Sequence, residues 1–369
     1  MKSIDMVVDL QYGSTGKGLL CGFLAESFKH DTIITAWAPN AGHTYIDSAG
    51  RKYIHTHIAN GIVSPYCRQV LLGPGSVINP EVFWDEYRSV QDIIEKNDIK
   101  VYIHPHAAIV RGEHIAEEAG PMTKIGSTKK GVGAALIHRI RRDPENSNVA
   151  KNELMLEHFV VSAEEYIERV MAAQSVLIEG AQGFGLSMYH GFYPYTTSRD
   201  VSTWQILADC GIPFSSANTS QFTVYGTART YPIRVANRYD EDGKMVGYSG
   251  PTYEDQEEIS FESIGQQTEL STVTKLPRRI FTFSAHQIHT AIQMTGSKSV
   301  FLNFVNYVRD ERQLLKIVDN IEDAPSARVT LIATGPTMRD VRWIDRFHQE
   351  SRASRRDKIL TIWRQNVQA

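Results

Sequence analysis

At 369 residues, 42% of them apolar, and with a formal net charge of −3, the chain can bury a sizeable core and shows none of the bias of a disordered protein. The slight acidity argues against a nucleic-acid or anionic-membrane partner, because such partners demand a basic face. The three cysteines, Cys21, Cys67 and Cys210, are too few and too widely spaced for a disulfide framework or a zinc site, and no apolar run approaches the ~20 residues of a membrane span. No signal-peptide pattern opens the chain either, so a cytoplasmic protein is expected.

Taken in chain order, the first apolar run, 4–10, carries Asp5 and Asp9 and leads into Gly13-Ser14-Thr15-Gly16-Lys17-Gly18, with a helix-compatible stretch over 19–28 behind it. Glycines let consecutive backbone N–H groups turn toward an anion, Lys17 adds a point charge, and the helix N-terminus adds its dipole. The spacing is not that of a Walker A loop, and an ordinary strand-to-helix turn stays open on these residues alone. Short β-branched runs at 6–8, 32–36, 70–72, 101–104, 176–179, 300–305 and 329–333 read as buried strands spaced for crossover connections. Helical periodicity or start signals mark 80–95, 163–174, 202–209 and 337–349. The segment 237–258, with Asp-Glu-Asp-Gly at 240–243 and Gly250-Pro251, has the chemistry of a surface hairpin or loop. The predicted fold is α/β, a largely parallel central sheet flanked by helices, with the phosphate-binding loop after the first strand. It occupies 1–346 as a single domain, and 347–369 forms a polar, solvated C-terminal helix or tail. Two His-x-His pairs, His55/His57 and His104/His106, lack a cysteine or carboxylate at ligand spacing and read as structural.

Five motifs follow one another: the Gly13–Gly18 loop is succeeded by Asn40-Ala41-Gly42-His43-Thr44, Ile125-Gly126-Ser127-Thr128, Glu179-Gly180-Ala181-Gln182-Gly183, Tyr193-Pro194-Tyr195-Thr196-Thr197-Ser198 and Thr334-Gly335-Pro336. In this order the chain resembles adenylosuccinate synthetase over about residues 4–340. That family joins aspartate to the 6-position of a purine monophosphate, driven by a nucleoside triphosphate, through a 6-phosphoryl intermediate. The resemblance implies Mg2+, a homodimer, and these roles by motif match. Lys17 and the amides of Gly13, Ser14, Thr15, Gly16 and Gly18 hold phosphate; His43 is the general acid at the purine 6-oxygen; and the Gly42 carbonyl is a metal ligand, with Ser14 a second candidate. Asn40, Ser127, Thr128, Gln182 and Thr197 bind nucleotide, as do Asn303, Asn306, Thr334, Gly335 and Pro336. Arg142, the nearest match among Arg139, Arg141 and Arg142, reaches the neighbouring subunit's nucleotide. Thr272, Val273, Thr274 and Arg278 bind aspartate, where a planar guanidinium suits carboxylates.

Three positions depart from the family pattern. The family loop reads Gly-Asp-Glu-Gly-Lys-Gly, and its aspartate takes the purine N1 proton; Ser14 stands there, and it leaves room beside purine C2 for an amino group. Leu276 replaces an arginine that approaches the ribose 2′-hydroxyl, which removes discrimination in favour of ribose. Asn306 replaces an aspartate that selects guanine in the triphosphate, and an amide pairs with adenine instead. Together these resemble the viral branch of the family, the 2-aminoadenylosuccinate synthetases of the diaminopurine DNA pathway. The expectation is a ligase taking dGMP, L-aspartate and ATP or dATP. Ordinary adenylosuccinate synthesis from IMP, or a non-catalytic purine-nucleotide binder that has lost its base at Ser14, are the alternatives.

Overall fold

The computed structural model describes residues 3–219, 221–271 and 275–367. Nine strands form the central sheet: β1 (Ser3–Asp9), β2 (Thr32–Thr35), β3 (Gln69–Leu72), β4 (Lys100–Ile103), β5 (Ser175–Glu179), β6 (Gln221–Arg229), β7 (Ser299–Asn303), β8 (Arg328–Ala333) and β9 (Val341–Trp343). Their order is β9-β8-β7-β6-β1-β5-β2-β3-β4. All pairings are parallel except β9 on β8. Parallel strands covered on both faces read as continuous apolar runs, which is why seven of the nine are legible. Along β1, Ile4, Met6 and Val8 enter one core cluster and Val7 enters the cluster on the other face. Helices Ala163–Ala172, Ala285–Thr295 and Glu311–Glu322 cover the first; Lys17–Ser27 and Pro80–Ser89 cover the second.

Two strands escaped the sequence reading. Strand β6 is polar at Thr223, Thr227 and Arg229, yet it pairs with both β1 and β7 near the centre of the sheet. The expected helix over 337–349 is instead a turn, Met338–Asp340, followed by β9; the Thr337–Asp340 capping contacts form, but Val341 and Trp343 suit a sheet edge. The 80–95 helix divides at Val90 (φ −119°) into Pro80–Ser89, capped by Asn79, and Gln91–Asn97. A hairpin, Arg238–Tyr239 on Met245–Gly247, occupies the 237–258 segment as expected. The chain does end in a helix, Arg352–Val367, but it is docked rather than free, with Ile359, Leu360 and Trp363 buried in the first core cluster. No helix among the described residues is long and apolar enough to cross a membrane.

Candidate active site at the strand ends

In an open parallel sheet ligands collect at the carboxyl ends of the strands. Here the register sets Asp9 opposite Thr227, Glu179 opposite Val7, and Arg229 opposite Asn303, so four polar strand ends converge. The loop after β1 turns through left-handed backbone at Gly13 (φ 94°), Ser14 (φ 58°) and Gly16 (φ 95°). A side chain at Gly16 would place its Cβ 2.2 Å from Asn303 Nδ2, so glycine is required twice over. Asp9 organises the loop from beneath. Its carboxylate accepts from the amides of Gln11 (2.9 Å) and Gly13 (3.2 Å), from the Thr15 hydroxyl, and from Lys17 Nζ (3.1 Å). Lys17 opens the helix Lys17–Ser27 and is buried, whereas Ser14 is exposed at the loop tip. Loop amides, a helix N-terminus and an ammonium at one point make an anion cradle.

His43 begins the strand His43–Ile46, which pairs with Lys52–His55. Its Nδ1 lies 2.9 Å from Glu179 Oε1, and with the carboxylate ionised Nδ1–H is the donor. Glu179 is held in turn by the Asn60 backbone N–H (2.9 Å) and side-chain amide (3.3 Å). The imidazole stacks 3.9 Å from Trp37, whose indole N–H donates to the Glu179 carbonyl. Burial pushes the His43 pKa below its ordinary value, the Glu179 hydrogen bond opposes this, and Lys17 adds to the lowering. The resting imidazole is therefore neutral beside a carboxylate poised to stabilise its protonated form, an arrangement suited to meeting negative charge as it develops at Nε2.

The remaining expected residues divide into groups. Asn40 and Gln182 are brought together, Gln182 Nε2 donating to Asn40 Oδ1 (2.9 Å) with Gln182 in left-handed backbone. Gly42 is half-buried immediately before His43. Thr197 is tied by its N–H to the Leu186 carbonyl (2.7 Å). Ser127 accepts from the Lys129 N–H, its carbonyl accepts from Arg238, and the half-buried Thr128 makes no hydrogen bond among the described residues. Gly335 packs against Asp340, and Thr334 N–H reaches the Asp340 carbonyl, with Pro336 next in the turn. Asn306 is half-buried with no hydrogen-bond partner among the described residues.

Two further residues are placed as follows. Asn303 bonds within the chain, its amide donating to the Thr15 carbonyl (3.2 Å) and accepting from Phe304 N–H (2.8 Å), so it supports the loop. Among the three arginines, Arg139 is taken up by the Pro74 and His106 carbonyls, while the side chains of Arg141 and Arg142 are exposed and make no hydrogen bond or ion pair among the described residues. No contact among the described residues joins Arg142 to the phosphate loop. Thr272, Val273 and Thr274 lie outside the described residues; Arg278, at the neck of that loop, has its N–H on the Glu269 carbonyl (2.9 Å).

Asp9, Glu179 and Arg229 were not singled out from sequence. Asp9 and Glu179 end strands whose apolar pattern they break, and that break was the available signal; Arg229 ends a strand with no apolar run to break. Within the His-x-His pairs, His57 Nε2 accepts from Asn79 N–H and His104 Nδ1 from His106 N–H. Among the described residues one cluster, Glu113, His114 and His138, has donor atoms close enough for a metal. The Arg111 N–H donates to His114 Nδ1 (3.0 Å), which fixes the ring proton on Nε2; that proton fits the 2.9 Å hydrogen bond to His138 and blocks ligation.

The adenylosuccinate synthetase family matches residues 6–145 and 143–322. An N6-succino-2-amino-2′-deoxyadenylate synthase of Acinetobacter phage SH-Ab 15497 is 46% identical over 350 residues, 88% of this chain and 89% of its own. One from Salmonella phage PMBT28 is 44% identical, covering 94% of this chain and 99% of its own. Among solved structures, a cyanophage S-2L succinoaminodeoxyadenylate synthetase bound to dGMP and to dATP as energy donor superposes with TM-score 0.88 at 38% identity, over 99% of each chain. Adenylosuccinate synthetase from Plasmodium falciparum shares the fold, with TM-score 0.73 at 17% identity, over 92% of this chain and 99% of its own. With the phosphate loop, the His43–Glu179 pair and the sheet order all in place, the chain belongs to the adenylosuccinate synthetase family.

Proposed function

We propose that the protein is a C–N ligase that condenses dGMP with L-aspartate, driven by ATP or dATP, to give 2-amino-2′-deoxy-N6-succinyladenylate, ADP or dADP, and phosphate. Ser14 carries this reading. It is exposed at the tip of a loop whose other residues are buried or half-buried, and its short side chain leaves the volume beside purine C2 open to an amino group. The phage relatives and the dGMP- and dATP-bound cyanophage structure support the same assignment.

In the first step Lys17 and the loop amides hold the triphosphate while phosphate passes to the purine 6-oxygen, a transfer governed by positioning and charge neutralisation. His43, in its protonated form and held by Glu179 at Nδ1–H, donates from Nε2–H to the charge growing on that oxygen, while the purine N1 proton leaves to a carboxylate of the bound aspartate or to water. In the second step the aspartate amine displaces the phosphate at C6, with Arg278 on the incoming carboxylates. The oxygen donors expected for Mg2+, the Gly42 carbonyl and the Ser14 hydroxyl, suit a hard cation that takes one or two protein oxygens and otherwise binds substrate phosphate. When bound, it neutralises phosphate charge. Asn306, with no hydrogen-bond partner among the described residues, is the group for the adenine of the donor. Arg142, exposed and without a partner among the described residues, fits a contact across a homodimer. The three cysteines, all buried and unpaired, and the phage relatives support action in the cytoplasm of a host cell.

Phosphate release measured with aspartate, Mg2+ and ATP across dGMP, GMP and IMP tests the assignment. The highest kcat/KM is expected on dGMP. IMP exceeding dGMP tenfold, about 1.4 kcal/mol of transition-state discrimination, would return the protein to ordinary adenylosuccinate synthesis.

A further inference from the structure

The Arg229 side chain is fully buried at the end of β6 and touches three segments at once. Its guanidinium pairs with Glu269 (2.6 and 3.3 Å), donates to the Ser14 carbonyl (3.4 Å), and lies 3.9 Å from the centre of the Phe304 ring. Its backbone is locked as well: Gln11 accepts from the Arg229 N–H and donates to the Arg229 carbonyl. Glu269 also accepts from the Tyr307 hydroxyl (3.1 Å). That carboxylate stands at the neck of the loop containing residues 272–274. The neck is closed by Arg278 N–H on the Glu269 carbonyl, a bridge between Leu270 and Pro277, and Ser271 N–H on the Leu276 carbonyl.

We infer that Arg229 is a positioning residue that ties the aspartate loop to the phosphate loop, holding the neck through Glu269 and the left-handed Ser14 through its carbonyl. A buried guanidinium that only balanced one carboxylate would need one partner; this one bonds two chain segments and stacks on a third. Ser14 at φ 58° is a conformation that a non-glycine residue keeps only when its surroundings hold it. The fork geometry makes the double contact feasible for arginine and not for lysine, whose ammonium is a point donor. The shape of the neck and the presentation of Ser14 to the acceptor base are thereby set by the same side chain. The inference rests on the proposed reaction for its substrates, but the aspartate readout can be taken with whichever purine monophosphate is turned over, so an error in the acceptor leaves it testable.

Arg229→Lys and Tyr307→Phe separate this role from bulk packing. Arg229→Lys keeps the charge for Glu269 and loses the second contact. The expected result is an aspartate KM about tenfold higher, with the triphosphate KM within about twofold and a reduced preference between dGMP and IMP. Tyr307→Phe removes only the hydroxyl on Glu269 and should raise the aspartate KM about threefold, leaving the acceptor preference unchanged because Ser14 keeps its contact. Folding is checked by the thermal transition of each variant. An aspartate KM within twofold of the unmodified protein in both folded variants overturns the inference. If Arg229→Lys does not fold, Tyr307→Phe decides alone: a raised aspartate KM with unchanged triphosphate KM sustains it, and anything else overturns it.

Discussion

Around Asp9 and Glu179 the charged groups are buried and each is held several times over, Asp9 by two amides, a hydroxyl and Lys17, Glu179 by His43 and Asn60. The side chains of Ser14, Thr128, Arg142 and Asn306 are exposed or half-buried and make no hydrogen bond or ion pair among the described residues. In the proposed reaction the first group meets charge that develops on the purine and the phosphate, and the second meets the parts by which substrates differ. Fixed dipoles and charges stabilise a transition state because they need not reorganise when charge moves. Residues that only select a substrate need no such frame, and can change without disturbing it. Mutations in the buried half should therefore cost rate, and mutations in the open half should redirect specificity.

The largest effect is expected at His43. His43→Ala should lower kcat by roughly 10²-fold or more with little change in nucleotide KM, since the proposed proton is delivered only as charge forms on the 6-oxygen. A nearly normal kcat would leave His43 a packing partner of Trp37. Glu179→Gln sharpens the point through pH, at a cost in kcat of about tenfold. The carboxylate raises the His43 pKa against burial, so its loss lowers that pKa further. The protonated form is then lost at lower pH, and the alkaline limb of kcat that reports imidazolium should move to lower pH. An unmoved limb would separate Glu179 from the proton chemistry.

The buried frame was partly legible in the sequence and the open residues more so. Strands β1, β5 and β7 announce themselves by apolar runs, and Gly13, Gly16 and Lys17 by their spacing. The partners that hold the frame do not. Asp9 read as an interruption of an apolar strand because a carboxylate bonding the loop just after it looks, in sequence, like any polar residue before a turn. Glu179 read only as the first letter of a motif because its partners His43 and Asn60 lie over a hundred positions away. Strand β6 was missed because Thr223, Thr227 and Arg229 leave it without the apolar run that marks a central strand. The 337–349 error is one of competing signals, a capped turn at Thr337 continuing into an edge strand. The tie from Asn303 to the loop's own backbone, 288 positions away, likewise left no trace in the sequence.

Of the open residues Ser14 should matter most. Ser14→Asp restores a carboxylate beside purine C2, and aspartate tolerates left-handed backbone better than most residues, so φ 58° is not itself an obstacle. The larger, charged group competes for the volume that the 2-amino group of dGMP would fill. Hypoxanthine carries only hydrogen there and can use the carboxylate as a base toward N1–H. The ratio of kcat/KM for dGMP over IMP should fall about tenfold. Equal factors on both substrates would mean that position 14 does not discriminate at C2.

The smallest effect is expected at Asn306, where selection acts on the donor base, remote from the bonds being made. The amide carries both a donor and an acceptor and can pair with adenine's N6 and ring nitrogen, whereas a carboxylate only accepts and suits guanine's N1–H and 2-amino group. Its half-buried setting in the turn Val305–Tyr307 leaves part of that pairing open to water, so the low end of base discrimination applies, about 1 kcal/mol or roughly fivefold. Asn306→Asp should therefore raise the KM for ATP about fivefold and lower that for GTP, with kcat on saturating ATP nearly unchanged because the phosphates still rest on Lys17 and the loop amides. A loss of kcat in place of a shift in KM would show that Asn306 belongs to the buried frame, and the division between rate-setting and substrate-selecting halves would then fail at this edge of the site. Preference for GTP in the unmodified protein would overturn the donor assignment outright.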